Sequence, residues 1–283
     1  MDDDAPWVAS DPFGRLRRAW PAAHDRFVRS VLPLLYARDG ARAVLLGGSL
    51  VNGGSDSYSD IDLTVVCDPE VRDEWLEGER LARELGALSA FRGDHLREPR
   101  LLICLFEPPL LHVDLKLVTP VEAGERVEPR AVLFCKDSSL RGVFDAPQID
   151  LPGTQRDWTE PRVWTWLHYG GSKAARGEVF ECLDLLAFLR GRVLAPMALM
   201  ASGHTGLAVQ GTRRVETRAP AYLEALTRCV PEPSAASCFM ALGAARELYV
   251  MLRSDLGWSA GEPRLEAAVS QFLTMEQAKL LAG

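Results

Sequence analysis

The sequence predicts an α+β protein in which a mixed β-sheet flanked by helices is followed by a bundle of α-helices. Three observations predict it. The first half alternates short apolar runs with turn-forming residues, and from Arg162 onward apolar residues recur at helical spacing. Between the two lies Asp145–Thr159, which holds Pro147, Pro152 and Gly153 and reads as a linker. Two domains are therefore expected, residues 1–154 and 155–283, and a chain of 283 residues is long enough for both.

Each element has its own signal. A first helix is predicted over Ala22–Tyr36, with Phe27, Val28, Val31, Leu34 and Leu35 as its apolar face and Pro33 as a possible kink. Strands follow at Ala43–Leu46 and Asp60–Cys67. A helix over Pro69–Leu88 presents Val71, Trp75, Leu81 and Leu85, with Asp68 as N-cap and Pro69 in the first helical position. Further strands are expected at Leu101–Phe106, His112–Val118 and Ala131–Phe134, the first two joined as a hairpin by Glu107-Pro108-Pro109. Helices are then predicted near Arg162–Ser172, Glu178–Ala201, Ala219–Cys229, Ser234–Leu252 and Pro263–Leu281.

Composition removes several classes of function. With 47% hydrophobic and 25% charged residues, a soluble globular protein is expected. The uninterrupted apolar stretches fall short of the roughly 20 residues a membrane span needs. The opening Met1-Asp2-Asp3-Asp4 is acidic where a secretory signal is basic, so a cytoplasmic location and no membrane partner are expected. The six cysteines form no CxxC pair and sit mostly in apolar runs, which reads as reduced core thiols, and the five histidines form no HxxxH or HExxH pattern for zinc. The charge of −7 is concentrated in residues 1–154, with 18 Lys+Arg against 26 Asp+Glu, while 155–283 hold 14 against 13. Neither half has the basic excess of a polynucleotide-binding protein, which favours a small-molecule partner over nucleic acid.

The most informative stretch is Gly47-Gly48-Ser49, followed after the loop Leu50–Ser59 by Asp60-Ile61-Asp62. Glycines after a buried strand let the backbone turn close to a ligand. Asp60 and Asp62 flank Ile61 at the start of a strand, so the two-residue period puts both carboxylates on one face, a hard oxygen pair suited to Mg²⁺ and a bound triphosphate. A third acid, Asp114, sits in His112-Val113-Asp114-Leu115-Lys116-Leu117, where alternation groups it with His112 and Lys116. If its strand lies beside that of Asp62, three carboxylates meet, and a divalent cation would relieve their repulsion. Gly48 and Gly53 have Walker-loop spacing, but Gly54-Ser55 stands where Lys-Ser/Thr is required, and no GxGxxG is present. The plainer alternatives are a glycine-rich turn with two surface aspartates, and an Asp114 that is a structural partner of Lys116 or an arginine.

On these residues the chain resembles the nucleotidyltransferase superfamily related to DNA polymerase β. That family's pattern is a hydrophobic residue, Gly, Gly or Ser, a loop, an Asp-x-Asp with hydrophobic neighbours, and a third acid on a later strand. Leu46, Gly47-Gly48-Ser49, Leu50–Ser59, Asp60-Ile61-Asp62-Leu63 and Asp114 meet it across residues 41–118. The two-domain arrangement is most similar to the adenylyltransferases that inactivate aminoglycosides and lincosamides, in which the substrate sits between a nucleotidyltransferase domain and a helical domain. In those enzymes a late strand similar to Ala131–Asp137 commonly carries an acid where this chain has Cys135.

The resemblance implies attack of an acceptor hydroxyl on the α-phosphorus of a nucleoside triphosphate, with two Mg²⁺ ions as cofactors and ATP as the favoured co-substrate. Asp60 and Asp62 would bridge the metals. Asp114 would bind the second metal, accept the hydroxyl proton, or do both. Gly47, Gly48 and Ser49 would cradle the β and γ phosphates, and the loop Leu50–Ser59 would order when nucleotide binds. Lys173, with Arg176, stands at a break between predicted helices and is a candidate phosphate contact, which an ordinary solvated helix end explains equally well. Glu178, Glu181 and Asp184 are candidates for a cationic or hydroxyl-rich acceptor, with a solvated acidic face as the simpler reading. Two other functions stay open: nucleotidylation of a protein or RNA, and an inactive nucleotide-binding regulatory module.

Overall fold

The computed structural model describes residues 20–125, 129–144, 154–206 and 211–282. The chain divides between residues 149 and 150 into two compact units. Most of the expected linker lies outside the described residues, and its last part is helical, since a helix begins at Arg156.

In the first unit, α1 (Ala22–Tyr36) runs through Pro33 and buries His24, Val28, Val31, Leu32 and Leu35. Leu34, expected inward, is half exposed, and Leu32 takes its place. The stripe set by Val28 and Val31 recurs three and four residues on, at 31–32 and 35, which turns position 34 away. Phe27 meets Phe106 edge-to-face at 4.7 Å.

Six strands follow: β1 (Ala41–Leu46), β2 (Ile61–Cys67), β3 (Ser89–Gly93), β4 (Glu98–Phe106), β5 (Leu111–Val118) and β6 (Ala131–Cys135). They form one mixed sheet in the order β3-β4-β5-β2-β1-β6. The β2–β5 pair is parallel and the other pairs are antiparallel. The Glu107-Pro108-Pro109 hairpin joins β4 to β5 as its spacing predicts, with Phe106 opposite Leu111. The edge strand β3 carries no apolar run and was not among the predicted elements.

The single helix expected over Pro69–Leu88 is two, α3 (Pro69–Leu76) and α4 (Arg80–Glu84), because Gly78 and Glu79 turn left-handed between them. Asp68 stands before Pro69 as expected, but its side chain makes no cap bond. Both its carboxylate oxygens pair with the Arg42 guanidinium, at 2.9 and 3.1 Å.

The two faces of the sheet differ. One is closed by α1, Trp75 and Leu81 over Val44, Leu63, Val65, Val113 and Leu115. The other is covered at one end by Leu140 and Phe144 against Ala43, Leu45, Val66 and Val118. Along this second face the strand period also places Asp62, Thr64, Asp114 and Lys116.

Between β4 and β5, Lys116 and Arg100 both pair with Glu98, at 2.8 and 2.7 Å. The Arg100 hydrogen bond, followed by that of Lys116, outweighs burial and holds the Glu98 carboxyl down to about 2. A lowered carboxyl stabilises the fold fully above its ordinary value of 4.5 and loses that contribution as pH falls toward 2. Glu98→Gln is therefore expected to flatten the acid limb of the Tm-against-pH profile, measured by circular dichroism.

The second unit is helical: α6 (Arg156–Ala175), α7 (Val179–Leu189), α8 (Ala195–Ala201), α9 (Val215–Arg218), α10 (Leu223–Arg228), α11 (Ala235–Asp255) and α12 (Pro263–Ala282), with α5 (Arg141–Phe144) the last helix of the first unit. The helix expected over Glu178–Ala201 is interrupted by a wider turn at Arg190–Leu194, and that over Ala219–Cys229 starts with a short turn at Pro220–Tyr222. Trp164, Leu167, Leu186, Leu242 and Tyr249 are fully buried together. Gly170 and Gly171 let neighbours close onto α6, since a Cβ there would lie 2.7 Å from Leu185 and 2.6 Å from Leu273. Among the described residues α11 alone is long and apolar enough to cross a membrane, and half of that span is buried inside the structure. Glu160, buried on α6, accepts from Arg253 at 2.8 Å and from the Gly261 amide at 3.0 Å, with the Tyr249 hydroxyl on its other oxygen.

All six cysteines are free thiols. Burial pushes Cys67, Cys104 and Cys182 up to about 12, so these thiols stay protonated and inert.

Candidate active site

The site is built from the register of the central strands. Asp62 lies directly opposite Asp114 on the parallel pair β2–β5. Ile61 is fully buried on the opposite face, so Asp60 and Asp62 emerge on the same side. Asp60, Asp62 and Asp114 each offer a carboxylate oxygen, all within 4.8 Å of one another, and each residue is partly buried. His112, on the same face, lies with Nε2 3.1 Å from an Asp114 oxygen. The cross-strand row continues from Asp114 to Ile103 on β4 and Phe91 on β3, giving the carboxylates an apolar flank.

The glycine turn abuts Asp62. Gly47 extends the β1–β2 ladder by donating to the Asp62 carbonyl at 2.8 Å. Gly48 then adopts φ 64°, ψ −151°, a conformation essentially reserved for glycine. A Cβ on it would lie 1.8 Å from Oδ2 of Asp62, so the turn approaches the carboxylate as closely as a backbone without a side chain permits. Ser49 opens the short helix α2 (Ser49–Asn52) and is buried, with no hydrogen-bond partner for its hydroxyl.

These residues fit a divalent cation with a phosphate-bearing ligand. Three carboxylates held this close repel one another, and a hard cation compensates them with the oxygen donors it prefers. A buried hydroxyl without a partner costs free energy unless something bonds to it, and the Ser49 hydroxyl sits one residue beyond the glycine that touches Asp62.

The remaining candidates have other surroundings. Lys173, in the second unit, pairs with Glu178 at 2.7 Å and Glu181 at 2.9 Å and lies over the Tyr169 ring. The Glu178 hydrogen bond, then that of Glu181, raises its pKa. Its ammonium is thus engaged by two carboxylates of its own unit. Arg176 reaches Glu178 only at 3.9 Å, and Asp184 is exposed. Cys135 donates to the Asp137 carbonyl at the end of β6.

Two residues near the site went unnoticed in the sequence. Trp20 donates from its indole to the Leu50 carbonyl at 2.8 Å, and the buried His24 reaches the Ser59 carbonyl at 2.7 Å. Their partners are main-chain atoms, which leave no side-chain pattern to read.

No protein-family profile and no curated protein sequence matches the chain. Among solved structures it is similar to an aminoglycoside 6-adenyltransferase from Bacillus subtilis, at 17% identity over 89% of this chain and 98% of that one, with a TM-score of 0.37. A superposition that loose carries no argument about activity, and the assignment rests on the residues themselves.

Proposed function

We propose that the chain is a Mg²⁺-dependent nucleotidyltransferase that moves AMP from ATP to a hydroxyl of a small molecule, of the aminoglycoside or lincosamide kind. The observation that carries this reading is the convergence of Asp60, Asp62 and Asp114 within 4.8 Å, against a glycine turn that leaves no room for a side chain beside Asp62. In this reading residues 1–154 are the catalytic domain, 155–283 contribute acceptor recognition, and the protein works in the cytoplasm.

Asp60 and Asp62 would hold the cations, and Asp114 would complete their ligand set or take the proton of the attacking hydroxyl. Bound Mg²⁺ supplies charge neutralisation of the triphosphate and lowers the pKa of the acceptor hydroxyl. Gly47, Gly48 and Ser49 bind the β and γ phosphates, using the Ser49 hydroxyl as donor. His112 orients Asp114 through their hydrogen bond. The acceptor oxygen then bonds to the α-phosphorus as the bond to the bridging oxygen breaks, and pyrophosphate leaves. Ile103 and Phe91 offer apolar surface to whatever lies beside Asp114.

The test is transfer of label from ATP to a panel of aminoglycosides, lincosamides and cell extract. Label in the α position is expected on a small molecule, label in the γ position in pyrophosphate, and neither product in EDTA. Label on protein or RNA would redirect the acceptor assignment. Transfer that survives EDTA would contradict the metal assignment, and ATP binding without transfer would leave an inactive nucleotide-binding regulatory module.

A further inference from the structure

Asp60 is not itself inside a regular element. It follows the loop Leu50–Ser59 and precedes β2, so its position depends on what holds that loop. Both loop ends are tied to the start of α1. Trp20, nearly buried, donates to the carbonyl of Leu50, the residue after Ser49. His24, four residues on and wholly buried, reaches the carbonyl of Ser59, the residue before Asp60.

A carbonyl can only accept, so the His24 proton lies on Nε2. The other ring nitrogen, Nδ1, is buried with no hydrogen-bond partner. Leaving a buried polar atom unpartnered is costly, and an apolar side chain would fill this place without that cost. What an apolar side chain lacks is the bond to Ser59. Between the two anchors the loop closes on itself, with the Ser59 amide donating to the Asp56 carbonyl at 3.1 Å and the Tyr58 amide to the Asp56 carboxylate at 2.9 Å.

We infer that Trp20 and His24 are positioning residues, a clamp that fixes the glycine turn and Asp60 to one helix and so holds the three carboxylates in place. The inference rests on the metal reading above. Groups behind metal ligands commonly set affinity in this way, and their loss costs about 10- to 100-fold.

Mn²⁺ alone, titrated by electron paramagnetic resonance against the full chain, tests it. His24→Ala is expected to weaken Mn²⁺ binding about tenfold. His24→Gln, whose amide can donate to Ser59, is expected to restore most of the loss. Val28→Ala, a buried change one turn along the same helix, should lower Tm without weakening Mn²⁺ binding. Should His24→Ala not fold, Trp20→Phe removes the other anchor, and amide hydrogen exchange should then rise across residues 50–60 with β2 unchanged. Wild-type affinity in His24→Ala, an equal loss in Val28→Ala, or unchanged exchange in Trp20→Phe overturns the clamp and leaves the metal reading intact. A wild-type protein that binds no Mn²⁺ overturns both.

Discussion

Asp62→Asn is expected to lower nucleotidyl transfer by about 10³-fold, the scale of losing one preorganised charge contact at the reacting phosphate. Asp62 faces Asp114 across β2–β5 and lies against Gly48, so in the proposed reading it touches both the cation position and the phosphate turn. The same change relieves like-charge repulsion in the absence of metal, so the Tm in EDTA should hold or rise while activity falls. Gly48→Ala attacks the same carboxylate from outside. Its Cβ would fall 1.8 Å from Oδ2 of Asp62 at a φ of +64°, costing about 1–3 kcal/mol of backbone strain and displacing the carboxylate. A misplaced ligand costs about 100-fold in rate. Gly47→Ala is the steric comparison in the melts, because there the added Cβ sits 3.6 Å from Asp62 in ordinary contact, so its Tm should fall less than that of Gly48→Ala. Label transfer and thermal melts on the three variants check the set. Equal falls in Tm for Gly47→Ala and Gly48→Ala would contradict the close approach of Gly48 to Asp62.

Glu160→Ala is expected to destabilise the second unit by about 3 kcal/mol, the cost of breaking a buried ion pair from one side. The carboxylate ties α6 to α11 through Arg253 and Tyr249, and to the segment before α12 through the Gly261 amide. Gly261 packs so closely that a Cβ there would lie 2.5 Å from the Glu160 side chain. Arg253 keeps Glu266 at 2.9 Å, which limits the loss. Burial pushes the Glu160 carboxyl up, but the Tyr249, Gly261 and Trp164 hydrogen bonds and Arg253 outweigh it and hold it below its ordinary value of 4.5. Its contribution is present above that value and is lost as pH falls below it. Urea titrations of wild type and variant at neutral and acid pH should therefore differ most at neutral pH.

The carboxylate cluster was legible because two rules sufficed: strand alternation put Asp60 with Asp62 and Asp114 on polar faces, and the apolar runs around them marked adjacent buried strands. The register that sets Asp62 opposite Asp114 came only from the structure. The edge strand β3 was missed because Ser89-Ala90-Phe91-Arg92-Gly93 is half solvated and has no buried run. One helix was read where Gly78 and Glu79 break it, since the apolar spacing of Trp75 and Leu81 continues across the break. Glu160 lay beside the expected linker, and its partner Arg253 is 93 residues away, a distance no local pattern spans. The Trp20 and His24 anchors end on carbonyls, which every residue has.

In the proposed reading Asp60, Asp62 and Asp114 jointly hold the cation that serves a triphosphate resting on Gly47-Gly48-Ser49. Crystals grown with Mn²⁺ and a non-hydrolysable ATP analogue, measured at the manganese absorption edge, test it most directly. Anomalous peaks bounded by the three carboxylates are expected, with the β or γ phosphate hydrogen-bonded to the Ser49 hydroxyl. Manganese bound elsewhere, or a triphosphate remote from Ser49 while these carboxylates hold no ion, would contradict it.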